Sequence, residues 1–456
     1  MHDLRFMVKC LLHVKYYWCV LLFGVRGIVV TMDEYSRVFW DGVVVVDSDS
    51  GVIVDVGDLG LVRDYGVEVV YGDSRSIVMP GLINTHTHSP MSIFRGFVSG
   101  VSGFDWLRRV WDIEAQLKPR HVYVGALLSI ISMIRSGTTA FADHYFYVEE
   151  IAKAVVETGV RAVLAKTVID LHEGPPKHSL KESLSFAKKY FNFSDSLSTM
   201  IGVHSLYSCS IETLREAVSI SMDTGIPIHM HLSESRDEVK FVKESYGVTP
   251  IKLADDLGIL GAKHLLAHVS YVMDEYELNL LGRVKARIAY APFTKMRGGQ
   301  AITPIMDLMV RGASISLATD GPLSCGDLDM FREMKFMLAA QNLKYGSASA
   351  LKPIDVIKAS TVNAAMNLGF NNLGFIGKGA KADLIVLNAW KSKVIPIKDV
   401  YYTILYCLNG GDVDTVIING KPIMVNGVIR VVDEEKIIEE AVKVAGELED
   451  LTIKPQ

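Results

Sequence analysis

The chain has 456 residues, of which 49% are hydrophobic, and a formal net charge of -5 at pH 7. This length allows two or three domains, or one (β/α)8 barrel of about 250 residues with an accessory module. Because the sequence has no basic excess, it argues against nucleic acid as a partner, and a small molecule is the expected ligand.

The five cysteines are odd in number, scattered along the chain and without a Cys-x-x-Cys pair. This usage argues against a disulfide framework and against a thiolate zinc site. We therefore expect a reducing compartment, the cytoplasm, for this protein.

Residues 1–22 need separate treatment, because an apolar run over residues 16–25 follows three basic residues, as in a signal peptide. The run is too short to span a bilayer, and no small-residue cleavage site follows it. It continues directly into residues 27–33, which predict a strand and a turn. We expect an N-terminal extension and no membrane association, with a targeting role as the alternative.

Short β-rich runs separated by Gly and Asp occur near both ends of the chain. They occupy residues 27–31, 42–47, 51–56 and 67–71, and then residues 383–387, 415–420 and 425–428. The simplest interpretation is one small β-sandwich module built from residues 23–78 and 376–430. Within the last segment, residues 431–456, the stretch 434–451 predicts an exposed helix.

Between these regions apolar strands alternate with amphipathic helices, which is the pattern of parallel βα units in an α/β fold. The eight predicted strands end near the following residues: His88, Asp143, Lys166, His204, His231, His268, Tyr290 and Asp320. The predicted helices include residues 116–135, 148–157, 180–190, 211–223 and 303–310. Eight units predict a closed (β/α)8 TIM barrel over residues 79–375, with catalytic groups at the C-terminal ends of its strands.

Histidines lie at several of these strand ends. His86 and His88 alternate along the first strand, so their side chains share a face. The fifth strand repeats this spacing with His229 and His231, and Glu234 follows it. His231 is at the strand end, whereas His229 lies one layer deeper and is better explained as a hydrogen-bonded core histidine.

The sixth predicted strand ends at His268, with His264 at its far end, and the eighth ends at Asp320. Three imidazoles and one carboxylate with an open position suit catalytic zinc or ferrous iron. A terminal Asp often caps a helix, and a buried His is often only hydrogen-bonded. The coincidence across four strands nevertheless favours a metal site, beside which Glu234 could move protons.

Five segments of the sequence resemble the amidohydrolase superfamily: residues 80–88, 136–143, 229–234, 318–321 and 377–386. Within it they are similar to the branch of 5-methylthioadenosine/S-adenosylhomocysteine deaminases and chlorohydrolases. The likeness covers nearly everything between Val25 and Val428. It implies a ligand set for one divalent metal ion, zinc or iron: His86, His88, His231 and Asp320.

The resemblance also implies that Glu234, His268 and Asp320 act on the attacking water and the substrate. Dinuclear members of the superfamily place a carboxylated lysine at the end of the fourth strand. Here that strand ends in His204, which favours a mononuclear site.

The substrate contacts that the resemblance implies are Trp106, Glu114, Lys166, His204 and Glu234. Glu114 would bind the ribose hydroxyls, and His204 matches a position that contacts substrate. The alternatives are a solvated helix glutamate and a capping or loop histidine. Where relatives hold an amino-acid carboxylate with arginines, this chain has Lys166 and residues 177–179, and lysine lacks the bidentate fork.

The sequence departs from the family pattern after the seventh strand. The family usually carries His-Asn-Pro followed by Ser-Asn, whereas this chain has Tyr290-Ala291-Pro292 followed by Phe293-Thr294-Lys295. The pocket wall is therefore expected to differ at residues 290–297.

The predicted activity is hydrolytic deamination of an adenosine-type nucleoside (5-methylthioadenosine, S-adenosylhomocysteine or adenosine) to the inosine analogue and ammonia. One alternative keeps the site and changes the substrate to guanine or a triazine, with ammonia or chloride leaving. Another is a catalytically silent metal-binding scaffold. The resemblance also allows a homo-oligomer.

Overall fold

The computed structural model describes residues 22–172, 176, 178–261 and 263–452. The predicted N-terminal extension and its targeting alternative therefore lie outside the described residues, with the exception of Leu22. This residue already belongs to the first strand, where it pairs with Asp47. The end of the apolar run at residues 16–25 is thus part of a sheet.

Two sheets contain all the named strands of the described chain. In chain order the strands are β1 Leu22–Val30, β2 Val38–Asp47, β3 Val52–Asp58, β4 Glu68–Tyr71, β5 Ser76–Pro80, β6 Leu82–Thr87, β7 Thr138–Tyr145, β8 Arg161–Val168, β9 Leu197–Val203, β10 Ile228–Leu232, β11 Leu265–His268, β12 Arg287–Tyr290, β13 Ser314–Leu317, β14 Leu384–Asn388, β15 Val413–Ile418, β16 Lys421–Val425 and β17 Val428–Ile429. Strands β1–β5 and β14–β17 form one sheet, and β6–β13 form the other.

The first sheet joins the two ends of the chain. Its order is β17-β16-β15-β14-β5-β1-β2-β3, with β4 paired to β1. The contact between the ends is the antiparallel pair β5 and β14, in which Val78 lies opposite Val386. Strand β1 pairs in parallel with β4 and β5, so the sheet is mixed rather than purely antiparallel. The predicted β-module from both chain ends is confirmed.

The second sheet is a barrel of eight parallel strands that pair in chain order from β6 to β13. Hydrogen bonds of the backbone and of side chains close the seam between the first and last strands. The amide of Asp320 donates to the carbonyl of His86 at 3.0 Å, and the Asn84 side chain donates to the Thr319 hydroxyl at 2.7 Å. The predicted (β/α)8 barrel is confirmed, and its seam brings Asp320 next to the strand of His86.

A close approach at Gly81 connects the two sheets. The residue lies between β5 and β6, and a Cβ atom on it would be 2.3 Å from the side chain of Thr139. Only glycine fits there without displacing a neighbouring strand. The start of β6 is therefore packed directly against β7, the strand that carries Thr139.

Helices cover the barrel and fill the loops above it. They are α1 Gly60–Tyr65, α2 Gly103–Glu114, α3 Pro119–Arg135, α4 Val148–Thr158, α5 Leu180–Tyr190, α6 Ile211–Thr224, α7 Arg236–Tyr246, α8 Pro250–Asp256, α9 Glu275–Arg283, α10 Pro292–Arg297, α11 Ile305–Val310, α12 Pro322–Cys325, α13 Met330–Tyr345, α14 Pro353–Ala359, α15 Val362–Leu368, α16 Val400–Tyr402 and α17 Glu434–Thr452. Short 3-10 turns span Ser89–Phe94 and Gly410–Asp412, and a π-helical turn spans Thr403–Cys407. Across the part of the chain described, no helix is both long and apolar enough to cross a membrane.

The predicted terminal helix is present as α17, but it is exposed on one side only. Ala441, Val444 and Leu448 are buried at helical spacing, so one face of α17 packs on the protein. On α3, Arg120 pairs with Glu440. The apolar stripe needs a partner surface, and α3 supplies it.

Candidate metal centre and active site

The strand β6 directs His86 and His88 to the same side, as its alternation requires. The Nδ1 of His88 donates to the carbonyl of His144 at 2.7 Å, which leaves its Nε2 as a lone-pair donor. The Nδ1 of His86 lies 2.8 Å from Nε2 of His229. The Nε2 of His86 is buried and has no hydrogen-bond partner among the described residues.

The strand β10 brings His231 to the same point. Its Nδ1 donates to the carbonyl of His204 at 2.9 Å, and its Nε2 lies 3.3 Å from Nε2 of His88. Because both Nδ1 atoms carry the proton, two lone pairs face each other at this distance. Such an arrangement is repulsive unless a cation lies among the rings.

Asp320, just after β13, completes the cluster. Its Oδ1 lies 3.4 Å from Nε2 of His88 and 3.8 Å from Nε2 of His86. The amide of Gly321 donates to the same oxygen at 2.7 Å and fixes the carboxylate. Three imidazole nitrogens and one carboxylate oxygen that converge in this way suit zinc or ferrous iron. The residues therefore fit a divalent metal ion.

The protonation states also suit metal ligands. Burial, and then the neighbouring imidazoles, hold the pKa of His86 well below its ordinary value, so the ring is neutral. Burial alone would raise the pKa of Asp320, but the surrounding His268 and His88 bring it below its ordinary value. A neutral imidazole beside an ionised carboxylate is the state in which both groups bind a cation.

The backbone is strained where these strands end. His268 has φ 76° and Asp320 has φ 68°, in the left-handed region that side chains other than glycine rarely adopt. Strain of this kind persists where the surrounding structure holds a residue in place, and it is common at functional sites. Both residues are among those predicted to act on the substrate.

Glu234 lies in the loop after β10. Its Oε1 accepts a hydrogen bond from Nζ of Lys295 at 2.7 Å and lies 3.5 Å from Nε2 of His268. Burial tends to raise the pKa of Glu234, but the Lys295 ammonium, with smaller effects from nearby imidazoles, lowers it to about 2. Sequence reasoning missed this contact. The signal was a lysine within the stretch that departs from the family pattern.

The remaining histidines differ in their hydrogen bonding. His268 is buried at the end of β11, and neither of its ring nitrogens makes a hydrogen bond within the described chain. His264 instead accepts the amide of Ile228 at 3.0 Å and has a structural role. His229 is confirmed as a hydrogen-bonded core histidine through its contact with His86.

A small cavity of about 60 Å³ extends from the cluster toward α2. It is lined by four residues of the predicted substrate site together with two metal-cluster histidines: Trp106, Glu114, His204, Glu234, His88 and His231. Burial raises the pKa of Glu114 to about 8, with Tyr145 beside it acting in the opposite sense. Its Oε1 and Nε1 of Trp106 are buried without a partner among the described residues, so both can bind a ligand.

Lys166, a predicted substrate contact, is not among the residues that line this cavity. On β8 the neighbouring Thr167 faces inward, where its hydroxyl lies 2.8 Å from Nδ1 of His144. Alternation places Lys166 on the other face, with Nζ 2.8 Å from Oε1 of Glu149. Lys177, the other predicted cation, lies outside the described residues.

A second cavity of about 120 Å³ shares Trp106 and Glu234 with the first and extends toward α10. Lys295 and Arg297 of α10 line it, and Arg297 donates to the carbonyl of Ser324 at 2.7 Å. The departing sequence stretch therefore forms one wall of the candidate active site.

The known proteins that this chain is similar to agree on one family. The sequence profile of the Amidohydrolase family matches residues 77–423. The chain is 34% identical over 418 residues to a 5-methylthioadenosine/S-adenosylhomocysteine deaminase of Pelotomaculum thermopropionicum, covering 91% of this chain and 96% of the relative. It is 37% identical to a 5'-deoxyadenosine deaminase of Methanosarcina barkeri, covering 92% and 96%.

A solved structure shares the fold over almost the whole chain. It is the crystal structure of an adenosine deaminase from Xanthomonas campestris with bound zinc. It superposes with a TM-score of 0.88 at 25% sequence identity and covers 94% of this chain and 98% of the other. Together with the converging histidines of the barrel, these matches show that the chain belongs to the amidohydrolase family.

Proposed function

We propose that this protein is a metal-dependent hydrolytic deaminase of an adenosine-type nucleoside. The observation that carries the proposal is that His88, His231, Asp320 and Glu234 line the same cavity as the buried Glu114. The reacting purine would lie beside the histidines and the ribose beside Glu114. The deaminase names of the relatives support the same substrate class.

The proposed metal ligands are Nε2 of His86, His88 and His231 and the carboxylate of Asp320. Zinc is the proposed ion, as in the solved adenosine deaminase, and ferrous iron is the alternative. When bound, a divalent cation acidifies water, so that the attacking oxygen is available near neutral pH.

Glu234 is the proposed proton carrier. It takes a proton from the attacking water and passes it to a ring nitrogen of the purine, while His268 and Asp320 orient the oxygen. The oxygen adds to the carbon that carries the amino group. A second proton transfer then lets ammonia leave, so the reaction consumes one water and gives the inosine analogue.

Glu114 is proposed to accept hydrogen bonds from the ribose hydroxyls. Its buried, unpartnered oxygen is suited to this because a hydroxyl would satisfy it. Trp106 and His204 are proposed to line the nucleoside site. We leave Lys166 out of the proposed set because its Nζ pairs with Glu149.

The proposal also includes the domain organisation of the chain. We propose that the chain divides into residues 1–22, 23–78, 79–375, 376–430 and 431–456, with the barrel in the third segment. We also propose a cytoplasmic enzyme, since Cys209, Cys325 and Cys407 are free thiols. The family resemblance leads us to propose a homo-oligomer as well.

The test is ammonia release by the zinc-loaded protein from a panel of compounds. The panel contains adenosine, 5'-methylthioadenosine, 5'-deoxyadenosine, S-adenosylhomocysteine, guanine and an aminotriazine. We expect turnover of the adenosine derivatives with conversion of adenine to hypoxanthine. Turnover only of guanine or the triazine would favour the alternative substrate class. No turnover by fully metallated protein would support a silent scaffold.

A further inference from the structure

Lys295 holds the proposed proton carrier, Glu234, by a hydrogen bond. It lies on α10, within the stretch where the sequence departs from the family pattern, and is separated from Glu234 by 61 residues along the chain. Its side chain is 3% exposed, and that of Glu234 is 25% exposed. A buried ammonium needs a paired anion, and the described residues offer Glu234 as its hydrogen-bond partner.

The helix α10 that carries Lys295 is itself anchored. The amide of Phe293 donates to Glu333 at 3.1 Å, and the Arg332 guanidinium lies 4.3 Å from the Phe293 ring centre. The Thr294 hydroxyl donates to the carbonyl of Thr319 at 3.4 Å. The backbone of Lys295 is therefore held in place, and its ammonium group contacts Oε1 of Glu234.

The backbone of Glu234 is held from the opposite side. Glu238 accepts the amides of Ser233 and Glu234 at 3.1 Å and 2.6 Å. With the main chain held by Glu238, Lys295 fixes the side-chain end through Oε1. No hydrogen bond from the described residues reaches the other carboxylate oxygen, Oε2. One oxygen is thus anchored, and the second is left free to carry a proton.

We propose that Lys295 is a positioning residue, which anchors Oε1 of Glu234 so that Oε2 can exchange protons with water and substrate. This inference rests on the proposed deaminase function. Misplacement of a proton carrier by about 1 Å costs about a hundredfold in rate. Removing the anchor should therefore lower kcat more than it changes KM.

The experiment compares Lys295→Met with Lys295→Arg and with Lys381→Met as the matched control. Lys381 also pairs with a carboxylate, that of Asp195, but at the opposite end of the barrel. We expect Lys295→Met to lower kcat between about tenfold and about a hundredfold, with KM and metal content unchanged. Lys295→Arg should recover part of the loss because it restores a cation at Oε1.

A double-mutant cycle with Glu234→Gln separates positioning from general damage. The double variant should turn over no more slowly than Glu234→Gln alone, because the anchor has nothing left to position. A kcat of Lys295→Met within about twofold of wild type, or a change confined to KM, would overturn the proposal.

The same cycle, measured by Tm, distinguishes a failure of the anchoring proposal from a failure of the deaminase proposal. If the wild-type protein turned over no nucleoside, the deaminase proposal would fail. The Tm shifts of the single and double variants would still report whether the two side chains are coupled. Non-additive shifts support the anchoring contact, and additive shifts contradict it.

Discussion

The two ends of the barrel differ in how completely their buried polar groups are paired. At the N-terminal end Arg161 binds both oxygens of Asp383, at 2.8 Å and 2.9 Å, and both side chains are 1% exposed. A further guanidinium nitrogen donates to the carbonyl of Asp195 at 2.6 Å. At the C-terminal end Nε2 of His86 and both ring nitrogens of His268 are buried without a hydrogen bond in the described chain.

Cavity size alone would have chosen the wrong end. The cleft beside Arg161 and Asp195 has a volume of about 640 Å³, whereas the two cavities at the metal cluster have about 120 Å³ and 60 Å³. In native structures, buried polar atoms without partners need an explanation, and a bound ligand is one. In this protein the adjacent imidazoles of His86 and His268, whose ring nitrogens lack partners, indicate the site of chemistry better than empty volume does.

Among changes at the C-terminal end, removal of the metal should cause the largest loss of activity. Dialysis against a chelator is expected to abolish ammonia release, and addition of zinc or ferrous iron to restore it, because the attacking water depends on the cation. The chelated protein should also melt at a lower temperature, since the ion binds only the folded state. Full activity of protein shown to be metal-free would contradict the proposed site.

The substitution Glu234→Gln should cause the second-largest loss of activity. The substitution keeps the size of the side chain but removes its ability to carry a proton, so kcat should fall between about a hundredfold and ten-thousandfold. Metal content measured by plasma spectrometry should stay at the wild-type value, because Glu234 is not among the proposed ligands. An active Gln variant would exclude Glu234 as the proton carrier.

Arg161→Met tests the N-terminal end. The change leaves Asp383 buried without its partner, which should cost about 3–5 kcal/mol of the free energy of unfolding. Urea denaturation measures this loss. The kcat of the folded variant should equal that of wild type, because the pair lies at the other end of the barrel. A loss of kcat without a loss of stability would remove the distinction between the two ends.

The substitution Glu114→Gln tests the C-terminal end through the pH dependence of the protein's stability. The pKa of Glu114 is raised from 4.5 to about 8 in the folded state, so the folded protein keeps a proton that the unfolded chain has already lost. Between these values the wild type loses about 1.4 kcal/mol of stability per pH unit as pH rises. The neutral Gln variant avoids this cost. Its Tm, measured without substrate, should therefore rise relative to wild type from pH 5 to pH 8, and a constant difference would contradict the assignment.

Lys166→Met should give the smallest effect. Since Lys166 pairs with the half-exposed Glu149 outside the cavity, KM for 5'-methylthioadenosine should change by less than about twofold. Steady-state kinetics would decide, with Lys295→Met as the comparison within the site. A tenfold increase in KM would return Lys166 to the substrate site that the sequence predicted.

The eight barrel strands and the convergence of the histidines with Asp320 could be predicted because they depend on local pattern. Apolar runs predict strands, and a residue at the end of a barrel strand must lie at one rim. The face of Lys166 depends on the parity of one residue within β8, and the apolar pattern there does not resolve it. The contact of Lys295 with Glu234 depends on how far a side chain reaches across the barrel mouth, which no local pattern encodes.

Anomalous diffraction at the zinc absorption edge, from crystals of the metal-loaded protein, would locate the metal ion. We expect one strong peak within bonding distance of Nε2 of His86, His88 and His231 and of the Asp320 carboxylate. A peak bound by other residues, or none at this position in protein shown to contain zinc, would contradict this expectation.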